Sequence, residues 1–183
     1  MDAARRDERL IAAASFTHYA LTVGGGIALL AWTFPREPLV APVAAAGGWV
    51  WGAAAEYTIH RFLLHDTRAF SRLHARHHAE PHRDQIDAVS YFSPMAIWAC
   101  AWLIVHAATL DPVAASATVA GGMLQYAWFR ALHRIIHAPW RPAWLDGVAR
   151  DHDRHHADVR CNFSVTARHW DRVFRTFRRS DAQ

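Results

Sequence analysis

A chain of 183 residues, 52% apolar and only 20% charged, is the right size for one domain. It carries fewer charges than a water-exposed surface usually does. Its 20 basic residues are all arginine and its net charge is +4, yet the arginines are scattered among histidines and acids without an RNA- or DNA-binding motif, which excludes nucleic acid as the partner and favours an anionic membrane surface.

Cys100 and Cys161 lie far apart, so there is no disulfide framework and any metal site must rest on histidine. The opening MDAARRDERL is charged, lacks a small-residue cleavage site and reads as a retained tail. From 10 to 32 the chain is almost uncharged, until FPREP at 34–38 ends the run with two prolines. Further apolar runs cover 39–55, 94–110 and 113–129, the last two separated by Asp111-Pro112. A soluble four-helix bundle would show a polar face on each helix. Here those faces would be Ala, Val, Leu and Trp. The expected fold is therefore an all-α integral membrane protein with four transmembrane helices, about 10–33, 39–60, 94–110 and 113–133. A histidine-rich helical metal-binding cap fills 56–93 and 133–179, and the whole of 1–183 forms one domain. Four spans put both termini and 56–93 on one side, with 19 of the 20 arginines. That side is cytoplasmic by the positive-inside rule, which predicts a multi-pass inner or plasma membrane protein with a cytoplasmic metal site.

Four histidine clusters fall on that side. On a helix, residues three and four apart share a face. His74 thus aligns with His77 and His78, His152 with His155 and His156, and His133 with His137. His60 and His65 are five apart, some 140° round an ideal helix, so both reach one centre only if the helix ends or bends between them. Ten imidazoles exceed the four ligands of a tetrahedral zinc and can supply two ions with about five each, leaving a position open. Spacing alone leaves zinc and iron both possible. Glu56, one turn before His60, is placed to accept that ring's other N–H. Asp84, Asp151, Asp153, Asp158 and Asn162 have similar opportunities. His82 could be an accessory ligand, but its position beyond the HHxxP turn favours a supporting or surface role; His18 and His106 lie inside apolar runs where they could line a substrate passage or bond a neighbouring helix, and His169 has no special claim. The Gly24–Gly26 and Gly121-Gly122 runs permit close helix approach. WDRVFRTFRR suits a helix lying on a membrane surface, or one packed on the metal cap.

The clusters, in order and spacing H-x4-H, H-x2-H-H, H-x3-H and H-x2-H-H, resemble the membrane fatty acid hydroxylase/sterol desaturase superfamily. Pro81 and Asp84 after the first HxxHH, and NFS at Asn162, WDRVF at Trp170 and RTF at Arg175 after the last, strengthen the likeness. Ser164 and Arg175 stand where family glycines are common. The resemblance implies a membrane enzyme whose two iron ions, held by His60, His65, His74, His77, His78, His133, His137, His152, His155 and His156 as catalytic ligands, use O2 as co-substrate to hydroxylate a lipid acyl chain. Zinc in such a site would be a substitute acquired during expression. An external electron donor (ferredoxin, cytochrome or reductase) is implied, since no nucleotide-binding motif is present. The alternatives are a carotenoid ring hydroxylase of the same superfamily and a non-enzymatic membrane metal-binding or transport protein. A transporter should carry its ligands near mid-membrane, whereas these lie in the boundary segments.

Overall fold

The computed structural model describes residues 3–81 and 94–179. Asp84 and His82 lie outside the described residues. All regular structure among those described is helical: α1 Ala3–Thr33, α2 Val40–Thr58, a π-helical turn Ile59–His65, α3 Arg68–Ala79, α4 Pro94–Thr109, α5 Pro112–Ile136, a 3-10 turn Ala143–Leu145, α6 Asp146–Ala157 and the short α7 His169–Val173. Sequence punctuation sets several ends. Pro112 occupies the first position of α5, and the Asp111 carboxylate accepts the backbone N–H of Val113 (2.8 Å) and Ala114 (3.1 Å). Leu110, at φ 56, ends α4 in the left-handed conformation.

The all-helical expectation holds, but four membrane spans do not. Among the described residues one helix, Ala13–Thr33 of α1, is long and apolar enough to cross a membrane. The reason is compositional. α2 has 19 residues, but alanines, glycines, two tryptophans and Glu56 dilute its hydropathy. α4 has only 16 residues, and α5 carries Gln125, Arg130, His133 and Arg134 in its second half. A run free of charge is not strongly apolar when alanine and glycine fill it. Without four spans, both termini are no longer required to lie on one side of a membrane.

The chain forms two compact units, Met1–Gly52 with Asp84–Ala127 and Ala53–Arg83 with Trp128–Gln183. In the first, Ala101, Val119 and Met123 are buried with Leu29, Trp98 and Trp102 packed on them. Two glycines set its closest helix approach. A Cβ on Gly48 would stand 1.8 Å from the Thr118 carbonyl oxygen, and one on Gly121 would stand 2.0 Å from that of Ala45, so α2 and α5 meet backbone to backbone. Gly24, by contrast, has nothing nearby. The second unit is built on Leu132, Ile136, Leu145, Ala149 and Val165. It contains every one of the ten clustered histidines.

Candidate metal centre

His60 and His65 come together through the π-helical turn that follows α2. Bonding i to i+5 widens the turn, so residues five apart stack on one side instead of diverging. Their rings lie 5.2 Å apart and 28° from parallel. The bend expected from sequence is thus a wider helical turn. His74, His77 and His78 come from α3, His133 from the end of α5, His137 from just beyond it, and His152, His155 and His156 from α6.

The ten rings divide into two groups of five, His60, His65, His74, His78 and His155, and His77, His133, His137, His152 and His156, with the ligand atoms of each group within 4.8 Å of one another. Each HxxHH motif serves both groups. Its i and i+4 members point one way and its i+3 member the other: α3 sends His74 and His78 to the first group and His77 to the second, while α6 sends His152 and His156 to the second and His155 to the first. The groups adjoin, with the His78 and His156 rings stacked at 4.3 Å.

A neutral imidazole has one N–H and one lone pair. Nδ1 of His60 donates to the Phe163 carbonyl at 2.5 Å and Nδ1 of His155 to that of Cys161 at 2.7 Å, so both Nε2 atoms present lone pairs. The Nε2 of His60 lies 2.9 Å from that of His74, and the Nε2 of His155 lies 3.1 Å from that of His65. In the second group the Nε2 of His152 meets those of His133, His137 and His156 at 2.9, 3.0 and 3.1 Å. One nitrogen with a single proton or lone pair cannot satisfy three such contacts. The Nε2 of His77 is buried with no hydrogen-bond partner. Ring nitrogens crowded this closely, with those of His60 and His155 fixed as lone pairs, suit two cation sites.

The electrostatics agree. Burial, ahead of repulsion from neighbouring imidazoles, holds His60, His74, His133 and His152 well below the ordinary histidine range. It takes His77 to about 2 and His78 and His156 to about 4. His155 falls to about 3, burial outweighing the opposing pull of its bond to the Cys161 carbonyl. Burial likewise lowers His65, against the pull of Asp66. These imidazoles are neutral at physiological pH, the form that binds metal.

Residues 45–176 match the sequence pattern of the family described as fatty acid hydroxylase. The chain belongs to that family. It is similar to the ceramide very long chain fatty acid hydroxylase scs7 of Schizosaccharomyces pombe, 30% identical over 132 residues that cover 66% of this chain and 38% of the relative. It is also 29% identical over 171 residues to the dihydroceramide fatty acyl 2-hydroxylase FAH2 of Arabidopsis thaliana, covering 86% of this chain and 67% of that one. The fold is that of full-length scs7p, of which only the hydroxylase domain is visible, with a TM-score of 0.75 at 23% identity over 90% of this chain and 68% of that chain. The chain thus spans about two fifths of the length of its Schizosaccharomyces relative.

In this hydroxylase-family chain the supporting residues differ from those expected. His60 spends its Nδ1–H on a backbone carbonyl, while Glu56 accepts the N–H of Val165 (2.7 Å) and of Thr166 (3.0 Å) and the Thr166 hydroxyl. Glu56 therefore fixes the segment that carries the Phe163 carbonyl. Asp151 holds the Arg168 guanidinium at 2.6 Å, and Asp158 pairs with Arg160 at 2.9 Å. Asn162 donates to the Asp151 and Arg178 carbonyls and accepts the Arg178 N–H. Sequence reasoning missed Asp171. Its buried carboxylate accepts the N–H of Phe163 and Ser164, both at 2.8 Å, and the Thr176 hydroxyl at 2.8 Å. Burial raises its carboxyl above the ordinary range against the pull of these donors. WDRVF was visible as a motif, but the carbonyls of Phe163 and Cys161 that it helps to place carry no side-chain signal. α7 is a single short turn whose Asp171 is buried, so it packs on the histidine unit through that residue. His18 stacks on Tyr126 and His106 on Trp102 in the other unit, and His169 is exposed beside Trp170.

Proposed function

We propose that this chain is a di-iron, O2-dependent hydroxylase that inserts oxygen into a C–H bond of a membrane lipid acyl chain, and that 1–183 acts as one catalytic domain. The observation that carries the reading is the pair of five-histidine groups with ring nitrogens turned inward, in a chain of the fatty acid hydroxylase family. The stoichiometry is R–H + O2 + 2 e⁻ + 2 H⁺ → R–OH + H2O. Two iron ions held by the ten histidines would supply the redox chemistry this requires, which zinc lacks. The chain's own residues do the rest. Phe163 and Cys161 fix the tautomers of His60 and His155, so that Nε2 faces the metal site. Burial keeps the ligands neutral without competing protons. The names of the relatives support an acyl chain over a carotenoid ring, and "fatty acyl 2-hydroxylase" suggests C2 as the position oxidised.

We read α1 as the attachment to a membrane. Sixteen of the 20 arginines lie in the histidine unit, which supports a cytoplasmic-facing metal site. The test is lipid mass spectrometry of cells expressing the parent or His155→Ala, grown under labelled oxygen gas. Acyl chains one labelled oxygen heavier, present with the parent and lost with the variant, are expected. Label confined to a carotenoid ring would overturn the acyl reading, and identical lipid and pigment extracts from iron-loaded cells would overturn the hydroxylase.

A further inference from the structure

A line of aromatic rings joins the surface of the histidine unit to the first histidine group. Phe174, 50% exposed, stacks on Tyr57 at 4.9 Å and 14°. Tyr57, 1% exposed, meets Phe163 edge to face at 5.8 Å. Phe163 in turn lies 5.4 Å from His155, 5.8 Å from His65 and 5.9 Å from His60, so its ring touches three of that group's five members. At the outer end Val173 is 64% exposed beside Phe174, and exposed Arg172 and Arg175 flank the two. The only acid in this turn, Asp171, is buried.

Hydroxylation consumes two electrons that no residue of either group can supply. They must arrive by tunnelling, whose rate falls exponentially with the empty gap to be crossed and is therefore favoured by closely packed rings. We propose that Val173 and Phe174, flanked by Arg172 and Arg175, form the docking surface for a small acidic one-electron carrier protein, and that the Phe174–Tyr57–Phe163 stack is the path of its electrons to the first histidine group. The inference rests on the hydroxylase reading. An apolar centre rimmed by arginines fits such a partner: the charges steer the encounter and the apolar contact closes it. A membrane contact would use the same residue types, but α7 is only five residues long, and the inner face of Phe174 is committed to Tyr57. Each docking oxidises one carrier by one electron and reduces the metal site by one. Two dockings match one O2, two protons and one C–H bond, and the rings are neither consumed nor left oxidised.

The test uses iron-loaded enzyme and, as probe, a reduced plant-type ferredoxin, followed by its own absorbance as it is oxidised. Arg172→Glu with Arg175→Glu is expected to lower the second-order rate at least tenfold, and rising salt is expected to lower that of the parent. Phe174→Leu keeps an apolar contact without a ring. It is expected to reduce the limiting rate at saturating ferredoxin severalfold, with the half-saturating concentration unchanged. Reduction by dithionite should be the same in all three proteins. Variants that oxidise ferredoxin at the parental rate would overturn the proposal, as would a parent that dithionite reduces and ferredoxin does not. If the arginine variant loses binding to phosphatidylglycerol vesicles but keeps its ferredoxin rate, the surface is a membrane contact and the proposal falls. An enzyme that accepts ferredoxin electrons yet hydroxylates no lipid defeats the functional reading and leaves the docking surface standing.

Discussion

The two histidine groups have the same number of members and draw on the same two HxxHH helices, yet they are held by different means. In the first, His60 and His155 are tied through Nδ1 to the carbonyls of Phe163 and Cys161, in a segment itself fixed by Glu56, Asn162 and Asp171. In the second, His133 with His137 and His152 with His156 form i,i+4 pairs, and the Nδ1 of His152 is buried with no hydrogen-bond partner. The first site therefore depends on a C-terminal segment more than a hundred residues from His60, while the second depends mostly on helix spacing. A site set by helical periodicity is legible locally. One set by backbone carbonyls requires the tertiary fold.

The largest effects should come from removing one ligand of each kind. His155→Ala is expected to reduce metal content from two ions per chain to about one, and His152→Ala to do the same at the other group, each lowering turnover more than about 100-fold. Elemental analysis of iron-loaded protein measures the first quantity and product formation the second. Loss of both ions from either variant would show that the shared helices make one cooperative cluster and would erase the comparison.

A smaller effect separates the groups without touching a ligand. Asp171→Asn keeps the shape but faces a donor-bearing amide towards the N–H groups of Phe163 and Ser164 and the Thr176 hydroxyl. Removing a buried charged acceptor costs about 2–4 kcal/mol, or roughly 5–15 °C in Tm for a chain of this length. Because Phe163 carries the carbonyl that orients His60, chelator competition should show the first ion weakened by at least tenfold and the second nearly unchanged. Equal weakening would mean that the segment supports both sites alike.

The legibility of this molecule divides along the same line. Eight of the ten histidines that converge were visible as helical spacings, because i,i+3 and i,i+4 are neighbours whatever the surrounding fold. The H-x4-H pair posed a geometric problem in the sequence, and the π-helical turn at Ile59–His65 is its solution. The crosswise sharing of each HxxHH between groups was not legible, since it depends on how α3 and α6 face one another. Nor were the carbonyl acceptors, because any residue type supplies one. The all-helical character was readable, while the number of membrane spans was overestimated. Absence of charge is a weaker property than hydropathy when alanine and glycine fill the run.

The smallest expected effect concerns the backbone of the segment that holds the first group. Asn162 and Arg175 both adopt the left-handed conformation, at φ 53 and 57. They should respond oppositely to glycine. At Asn162 the side chain makes three hydrogen bonds, so Asn162→Gly relieves strain that asparagine tolerates well and forfeits the bonds to Asp151 and Arg178. Arg175 stands where the family pattern favours glycine, its side chain is exposed, and a bulky residue in this conformation costs on the order of 1 kcal/mol or more. Glycine loses part of that gain to its greater freedom when unfolded. The net expectation is a gain of about 0.5 kcal/mol, a rise of roughly 1–2 °C in Tm, for Arg175→Gly. Asn162→Gly should instead lose about 1–3 kcal/mol. Thermal unfolding of the two single variants reads both signs directly. A loss at Arg175 would mean that its side chain, not its backbone, secures the turn, and the first histidine group would then depend on one more residue of the C-terminal segment.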